Sequence, residues 1–429
     1  MTPQSTFMVV APIADGQRPN LEALLATMTT VPPNADPANG LVPFGRFARL
    51  HFARFVILDA RTAEDVTAYG IPSRPWPPSL AFLGDIDGEA DAFLRELVDV
   101  AGSGLRQIFT HCRGFAGSDL LGWMNRHATP PAASYVNWVG RTVTQIREEA
   151  ALQVVLAKRV RELDGTQPPA RLRELLVEFV AEERRAGRLR LTPPAPTPVG
   201  WALRDLAHLV GVPLALLVAA PFLLLASPVL VAQLRRRERT DPEIVPRPDR
   251  AQIEALGALE DIDVTNQFSA FGDAKPGAFR LYLVRLLLLL LDYSSRHVYN
   301  HGYLTRVQTI HFARWVLLDD QRRMFFASNY DGSLESYMDD FINKVAWGIN
   351  AVFGNGVGFP RVSWLLKGGA EFEQKYKCFL RRHQLPTAVW YKAYPGLTAF
   401  DLNRNTRIRE GLERAPLNDR EARAWLDLL

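Results

Sequence analysis

The sequence predicts an α+β protein: two copies of one β-α-β-β-α-β unit, with a helical connector and a membrane-seeking segment between them. Three observations carry this. Residues 51–59, His-Phe-Ala-Arg-Phe-Val-Ile-Leu-Asp, match residues 311–319, His-Phe-Ala-Arg-Trp-Val-Leu-Leu-Asp, at seven of nine positions. Apolar runs alternate with stretches of helical spacing in the same order on both sides of the chain. Residues 206–234 contain no formally charged side chain.

The repeat extends well beyond its first match. Phe82 to Phe93 aligns with Phe326 to Tyr337, which pairs Asp87-Gly88 with Asp331-Gly332. Gly104 falls on Gly348, Phe109 on Phe353 and Gly114-Phe115 on Gly358-Phe359. After one insertion Arg126-His127 meets Arg382-His383. Pro130, Tyr135, Gly140 and Thr142 then meet Pro386, Tyr391, Gly396 and Thr398. So many matches in one order indicate duplication.

In the first copy, residues 7–12 and 50–59 read as strands. A helix over 20–28 with Asn20 as its cap lies between them. A strand over 79–86 follows, then a helix over 89–101 ended by Gly102 and Gly104, and a last strand over 105–111. In the second copy the elements are a strand over 264–271, a helix over 276–299 opened by Pro276, a hairpin of 309–319 and 323–329 turning at Asp319-Asp320-Gln321, a helix over 333–347 and a last strand over 349–354. The expected divisions are 1–145 for the first copy, 146–205 for a helical connector with a Pro-rich linker, 206–234 for the apolar segment, 235–260 for a linker and 261–429 for the second copy.

This element order is the split βαβ pattern. It resembles the ferredoxin-like fold, and two such units resemble the dimeric α+β barrel superfamily. The resemblance covers roughly 270 residues and implies an intramolecular barrel.

The net charge is +4 with acids and bases nearly balanced, so a broad basic nucleic-acid surface is not expected. The two cysteines, Cys112 and Cys378, are not in a CxxC pair. Thiolate metal sites and redox dithiols therefore lack support, and no metal site is expected. A disulfide framework is also absent, which fits a reducing compartment. Residues 1–12 carry no basic region followed by a long apolar run, so no secretory signal is expected.

The uncharged run 206–234 is long enough to cross a bilayer, which takes about 20 helical residues. Arg235, Arg236, Arg237 and Arg239 follow it, and Arg188, Arg190 and Arg204 precede it. Basic flanks favour the cytoplasmic side. If the two copies pack together, both flanks lie on one side. Pro213, Pro221 and Pro228 could then bend the segment into a hairpin dipping into one leaflet. A single span is the alternative, and it would separate the copies. Residues 281–291 are apolar apart from Arg285, so that helix needs cover on both sides, from the core or in part from lipid.

Repeated polar residues are the candidates for chemistry. Arg54 and Arg314 share a strand face with Phe, Val and Leu. A buried guanidinium needs an anion or a cluster of carbonyls. That partner is either a structural carboxylate, such as Asp87 or Asp331, or an acidic ligand in a cavity. His51 and His311 either close a hydrogen-bond network or serve as acid/base or haem ligand. His127 and His383 fall at element ends, followed by Tyr135 and Tyr391. His383, Trp390, Tyr391 and Tyr394 form an aromatic, ionisable cluster in the sequence. The second copy has the tighter hairpin, with 7 residues from Asp319 to Phe326 against 23 from Asp59 to Phe82 in the first. With the aromatic cluster, this marks the second copy as the working one, with His311, Arg314, Asp331, His383 and Tyr391 as its site.

Gly84-Asp-Ile-Asp-Gly88 resembles the GxxDG motif of dye-decolourising peroxidases, which are built from two ferredoxin-like units around haem. That resemblance implies a distal role for Asp87; His51 and His127, taken from the repeat, join it as the candidate cofactor-binding residues. The second copy departs from the motif with Ser328-Asn-Tyr-Asp-Gly332, and neither that family's proximal His nor its distal Arg can be placed by motif. GxSxG, Walker A, GxGxxG and HExxH patterns are missing. The expected function is a membrane-associated barrel that binds haem or an apolar acidic ligand and performs peroxidase-like or lipid-directed oxidation. The alternative is a non-enzymatic scaffold for lipid or a partner.

Overall fold

The computed structural model describes residues 1–59, 61–72 and 76–429. The chain is α+β. Its first part runs β1 (Gln4–Pro12), α1 (Arg18–Ala26), a small ribbon of β2 (Thr29–Val31) and β3 (Asn34–Ala35), β4 (Leu50–Leu58), α2 (Ala63–Ala68), β5 (Ser79–Asp87), α3 (Ala90–Phe109), α4 (Leu120–Arg126) and β6 (Ala133–Val136). Four helices follow: α5 (Val143–Glu162), α6 (Pro169–Arg185), α7 (Val199–Thr240) and α8 (Arg250–Gly257). The last part runs β7 (Thr265–Asp273), α9 (Ala278–His297), β8 (Ile310–Leu318), β9 (Arg323–Asp331), α10 (Leu334–Phe353), the pair β10 (Val362–Ser363) and β11 (Lys367–Gly368), α11 (Glu373–His383), β12 (Thr387–Lys392), α12 (Ala399–Glu413) and α13 (Asp419–Leu426).

Two sheets form the centre. One has the order β1-β5-β4-β12-β3-β2 and the other β6-β8-β9-β7. The β4 and β8 strands carry the repeated His-Phe-Ala-Arg motif and are each flanked by two strands. Both faces are covered, as their unbroken apolar character requires. The β8–β9 hairpin turns where expected, with Asp319, Asp320 and Gln321 all at positive φ. Side chains on one face of each sheet meet in a shared inter-sheet core that includes Met8, Val56, Leu83, Phe271, Val316 and Phe325.

Each sheet borrows a strand from the other half of the chain. The β6 strand pairs with β8, setting Ser134 opposite Arg314. The β12 strand pairs with β4, setting Trp390 opposite Arg54. On the way, the chain bridges Ala128 to Val9 at the edge of β1 and Gln384 to Ala270 at the edge of β7. Segments that cross between the two sheets thereby cover the edges of β1 and β7. Residues 1–145 and 261–429 therefore share strands across both sheets.

Four local expectations are corrected. Residues 105–111 are mostly the end of α3, and 349–354 the end of α10. The last strands lie about 25 to 40 residues later, at β6 and β12. Gly102 and Gly104 do not end α3. Gly104 sits inside it because a Cβ there would collide with the backbone of Leu41. Asn20 is inside α1, whose cap position is Gln17. Residues 206–234 make no hairpin: α7 is one helix of 42 residues with Pro213, Pro221 and Pro228 inside it. At about 1.5 Å per residue it is roughly 63 Å long.

Both ends of α7 are fastened to the same body. Near its start, Arg204 pairs with Glu89, the His208 and His297 rings are hydrogen-bonded at 2.9 Å, and the Tyr293 hydroxyl donates to the Leu209 carbonyl. Near its end, the buried Glu238 carboxylate accepts from the backbone N–H groups of Trp364 and Leu365, at 3.0 and 2.7 Å. Between them, Trp201, Asp205, His208, Val212, Leu216 and Ala219 are half-buried at helical spacing. The helix therefore lies along the body. Its other face is open, with Phe222 and Leu225 exposed at 73% and 83%.

The strand exchange predicts that neither half folds alone. Residues 245–429 without β6 leave the β8 edge unpaired, and residues 1–195 without β12 do the same to β4. Expressed singly, each fragment should aggregate or lack a cooperative transition; co-expressed, they should elute as a 1:1 complex. A cooperatively folding monomer of 245–429 would show that the exchange is dispensable.

Candidate functional site

Arg54 and Arg314 sit on the inter-sheet faces of β4 and β8, and each reaches across to the opposite sheet. Arg314 donates from Nη1 to the Phe7 carbonyl at 2.8 Å and from Nη2 to Asp85. Arg54 donates from Nη1 to the Phe268 carbonyl at 2.8 Å and to the Ser269 hydroxyl at 3.0 Å. Its Nη2 donates to the Ser328 carbonyl at 2.9 Å and to the side chain of Asn329. Asn329 donates in turn to Asp85 at 3.1 Å. In the repeat alignment Asp85 and Asn329 occupy one position, so the two arginines make equivalent crossings with unequal partners. Burial pushes the Arg54 pKa down to about 9, partly opposed by Asp85. The expected carboxylates, Asp87 and Asp331, are not the partners. They end their strands two residues further on, beside the histidines.

Those histidines form two matching arrangements. His51 Nε2 donates to Asp87 Oδ1 at 2.9 Å, and its Nδ1 accepts from the Tyr394 hydroxyl at 3.1 Å. Asp87 Oδ2 accepts from the backbone N–H of Val143, the first residue of α5, at 2.9 Å. His311 Nε2 donates to Asp331 Oδ1 at 2.7 Å, and Asp331 Oδ2 accepts from the N–H of Ala399, the first residue of α12, at 2.7 Å. Each carboxylate thus joins a strand histidine to a helix N-terminus, where orphan N–H groups and the helix dipole favour an anion. His311 Nδ1 has no hydrogen-bond partner among the described residues. The rings of His51 and Phe312 and of Phe52 and His311 pack across the barrel, with centroids 5.1 and 5.6 Å apart.

A third arrangement surrounds His383. A cavity of about 590 Å³ lies between the end of β7, α9, the β8–β9 turn, α10 and α11. Its walls include Ile71, Trp76, Phe271, Leu281, Val284, Met324, Phe326 and Phe353. The volume falls in the range of about 300–1,000 Å³ usual for small-molecule sites. His383 ends α11, with Nδ1 donating to the Phe379 carbonyl at 2.8 Å, so Nε2 carries the lone pair. The ring lies against Gly272, where any Cβ would strike it. Nε2 makes no hydrogen bond; the nearby Val357 backbone only slightly favours the charged ring. Burial lowers the His383 pKa to about 4.

Lys275 and Arg280 bring charge to the same cavity. Both are buried and share one carboxylate, Asp241, at 2.9 and 2.6 Å. Lys275 also donates to the Gly354 carbonyl at 2.9 Å, and Arg280 to Asn355 Oδ1 at 3.1 Å. Arg280 Nε has no partner among the described residues. Asp241 directly follows α7 and also accepts from the Tyr69 hydroxyl at 2.5 Å; despite burial, Lys275, Tyr69 and Arg280 hold its carboxyl below the usual range.

Compared with known proteins, the chain matches no family model, no curated protein and no solved structure.

The structure disperses the residues that the sequence groups. His383 lines the cavity and Trp390 donates to Asn329 at 3.2 Å in the barrel centre. Tyr391 stacks on Phe44 at 5.2 Å, its hydroxyl pKa raised by burial. His127 lies half-buried on Trp123, with ring centroids 4.1 Å apart. The residues that the peroxidase resemblance assigns to haem do not enclose a shared space. Both nitrogens of His51 are engaged, both oxygens of Asp87 are engaged, and side chains fill the region between the sheets around Arg54, Asp85 and Arg314. These residues do not fit haem. Lys275, Arg280 and Asp241 escaped sequence reasoning because nothing in their spacing joins them. Asp85 was visible only as the first aspartate of Gly84-Asp-Ile-Asp-Gly88.

Two predictions follow from these geometries. Arg314→Met leaves Asp85 buried with only Asn329 and the remote charge of Arg54, and breaking such a pair costs about 3–5 kcal/mol. Arg54→Met removes a cation without a direct anionic partner and should cost less, about 1–3 kcal/mol for the acceptors left bare. Urea unfolding should rank Arg314→Met as the less stable; the reverse order would show that Asp85 does not set the balance.

The second concerns pH. Above about pH 6.5 His383 is neutral folded and unfolded, and its contribution is complete. As pH falls from 6.5 toward 4, the unfolded chain takes a proton that the folded chain refuses. Stability should fall by about 1.4 kcal/mol per unit through this window. Unfolding titrations of the wild type and His383→Gln should differ by that slope. Parallel curves would mean the folded ring titrates normally.

Proposed function

We propose that this protein is a membrane-surface scaffold in which two fused ferredoxin-like units form one barrel, held against the cytoplasmic face by α7 lying in the lipid. The observation that carries this reading is the state of α7. Its apolar length is uncovered, while both its ends are tied to one body. Among the described residues, one helix is long and apolar enough to cross a bilayer. A perpendicular crossing, however, would pull one end away from its contacts. Lying along the body, α7 offers a continuous apolar surface to the hydrocarbon boundary, as monotopic anchors do. Tyr282, Leu289 and Leu290 on the neighbouring α9 are also exposed and enlarge that surface. The arginines at both flanks favour the cytoplasmic side.

The repeated His–Asp pairs support a scaffold over an oxidative catalyst, because each is consumed in holding a helix. The oxidative reading keeps one favourable observation, the lone pair of His383 in an apolar cavity. An absorbance spectrum of protein made with ample haem supply separates them. The scaffold predicts no Soret band, whereas a Soret band lost in His383→Ala would establish a haem protein.

The anchoring reading predicts that the protein sediments with membranes and leaves them with detergent, not with high salt. Single cysteines at Arg188 and Arg239, in a background lacking Cys112 and Cys378, should both resist an impermeant thiol reagent in intact cells and react after lysis. Labelling of only one position in intact cells would establish a crossing and overturn the in-plane arrangement.

A further inference from the structure

We propose that the cavity around Arg280 and His383 is a binding site for a single-chain amphiphile with an anionic headgroup, a carboxylate or a phosphate. The inference rests on the membrane-surface reading for the source of the ligand and not for the site itself.

The walls fix the body of the ligand. They are aromatic and aliphatic side chains from five elements, enclosing about 590 Å³. Apolar lining favours a hydrocarbon chain through area removed from water. The charge fixes the head. Lys275 and Arg280 are both buried, and a single carboxylate, Asp241, serves the two. Among Lys275, Arg280 and Asp241 the cations outnumber the anions by one, an excess that an anion offsets. Asp273 also lines the cavity, and burial raises its carboxyl pKa toward the neutral form. Arg280 Nε–H is a buried donor without an acceptor, and an oxyanion supplies one. His383 Nε2 is a buried acceptor without a donor, so a hydroxyl on the same molecule completes it. Two unsatisfied groups of opposite kind in one cavity are each costly unless a ligand pairs them.

The entrance lies beside lipid. Pro276, Gly277 and Ala278 on one side, Asp320 and Arg322 on another, and Ala63 and Pro72 on a third are the exposed members of the lining. The Arg237 guanidinium of α7 lies over Phe279 at 5.5 Å and against Gly277. The mouth therefore opens where the apolar helix ends in its arginine cluster, a position that draws anionic headgroups from a membrane surface.

The test uses the full chain in phosphatidylcholine nanodiscs, with thermal unfolding followed against dodecyl phosphate, laurate and dodecanol. The two anions should stabilise at concentrations about tenfold lower than dodecanol, the expected scale of a charge-assisted contact. Arg280→Gln should remove that preference. Leu281→Trp fills the cavity without touching the charge cluster and should abolish stabilisation by all three, which also controls for probe partition into the bilayer. Tighter action of dodecyl phosphate identifies phospholipid-derived ligands and tighter action of laurate identifies free fatty acids; both support the site. Equal action of dodecanol and the anions on the wild type overturns the proposal, as does unchanged stabilisation in Leu281→Trp. Anion stabilisation of a protein that needs no detergent for extraction would uphold the cavity and reject the anchor. An anchored protein indifferent to the probes would do the opposite.

Discussion

The crossed arginines are the constraint around which the two sheets are arranged. Two sheets could in principle meet through apolar faces alone, and most of their contact here is Val, Leu, Phe and Met. Arg54 and Arg314 make that contact specific. Each guanidinium must find its acceptors on the opposite sheet, at Phe268 and Ser328 or at Phe7 and Asp85. A slip of one residue along either strand turns its arginine out of the interface and buries a different set. The pair costs desolvation, so its value lies in register more than in stability. Placing one carboxylate at Asp85 and an amide at Asn329 leaves Arg54 to carbonyls and dipoles, and its lowered pKa reflects that.

The exchanged strands extend the same logic to the helices. The β6 and β12 strands reach the neighbouring sheet and then turn into α5 and α12. Asp87 and Asp331 stand where those helices begin. Each aspartate accepts from the helix and from the histidine of its own repeat. The helix start is thereby tied to the strand that carries the crossing arginine three residues beyond the histidine. A scaffold held this way resists independent motion of its halves, which suits a body that fastens both ends of one apolar helix.

Much of this was legible in the sequence because it is local. The His-Phe-Ala-Arg strands show their central place through apolar character on both faces, and the hairpin shows itself in Asp-Asp-Gln. Residues 105–111 and 349–354 misled because a short apolar run at the end of a helix reads equally as a buried strand. The true last strands are short, and their partners lie in the other half of the chain, which no local pattern encodes. The prolines of α7 suggested a bend because they break helices in water-facing contexts. Here each removes only one backbone bond from a long apolar helix that continues around it. Of the candidate residues, the histidines and arginines were found through repetition. Their partners were assigned two positions away, since alternation gives the face of a strand and not what lies across from it.

Repetition also bears on the cavity beside His383. At the matching place in the first repeat, Trp123 occupies the position of Phe379, Phe109 that of Phe353 and Phe115 that of Phe359. There the Trp123 indole packs on Phe109 and Phe115, with centroids 4.7 and 5.0 Å apart, and His127 covers it at 4.1 Å. The larger ring fills the space, and the histidine is left half-buried at its edge. With phenylalanine at position 379, the same geometry has less volume to fill it. His383 sinks against Gly272, where Ala11 stands in the first repeat, and lines the cavity. Lys275 and Arg280 then line the opened space. The smaller ring at position 379, with Gly272 in place of an alanine, leaves room for the cavity beside His383, on steric grounds that do not depend on which reaction, if any, takes place there.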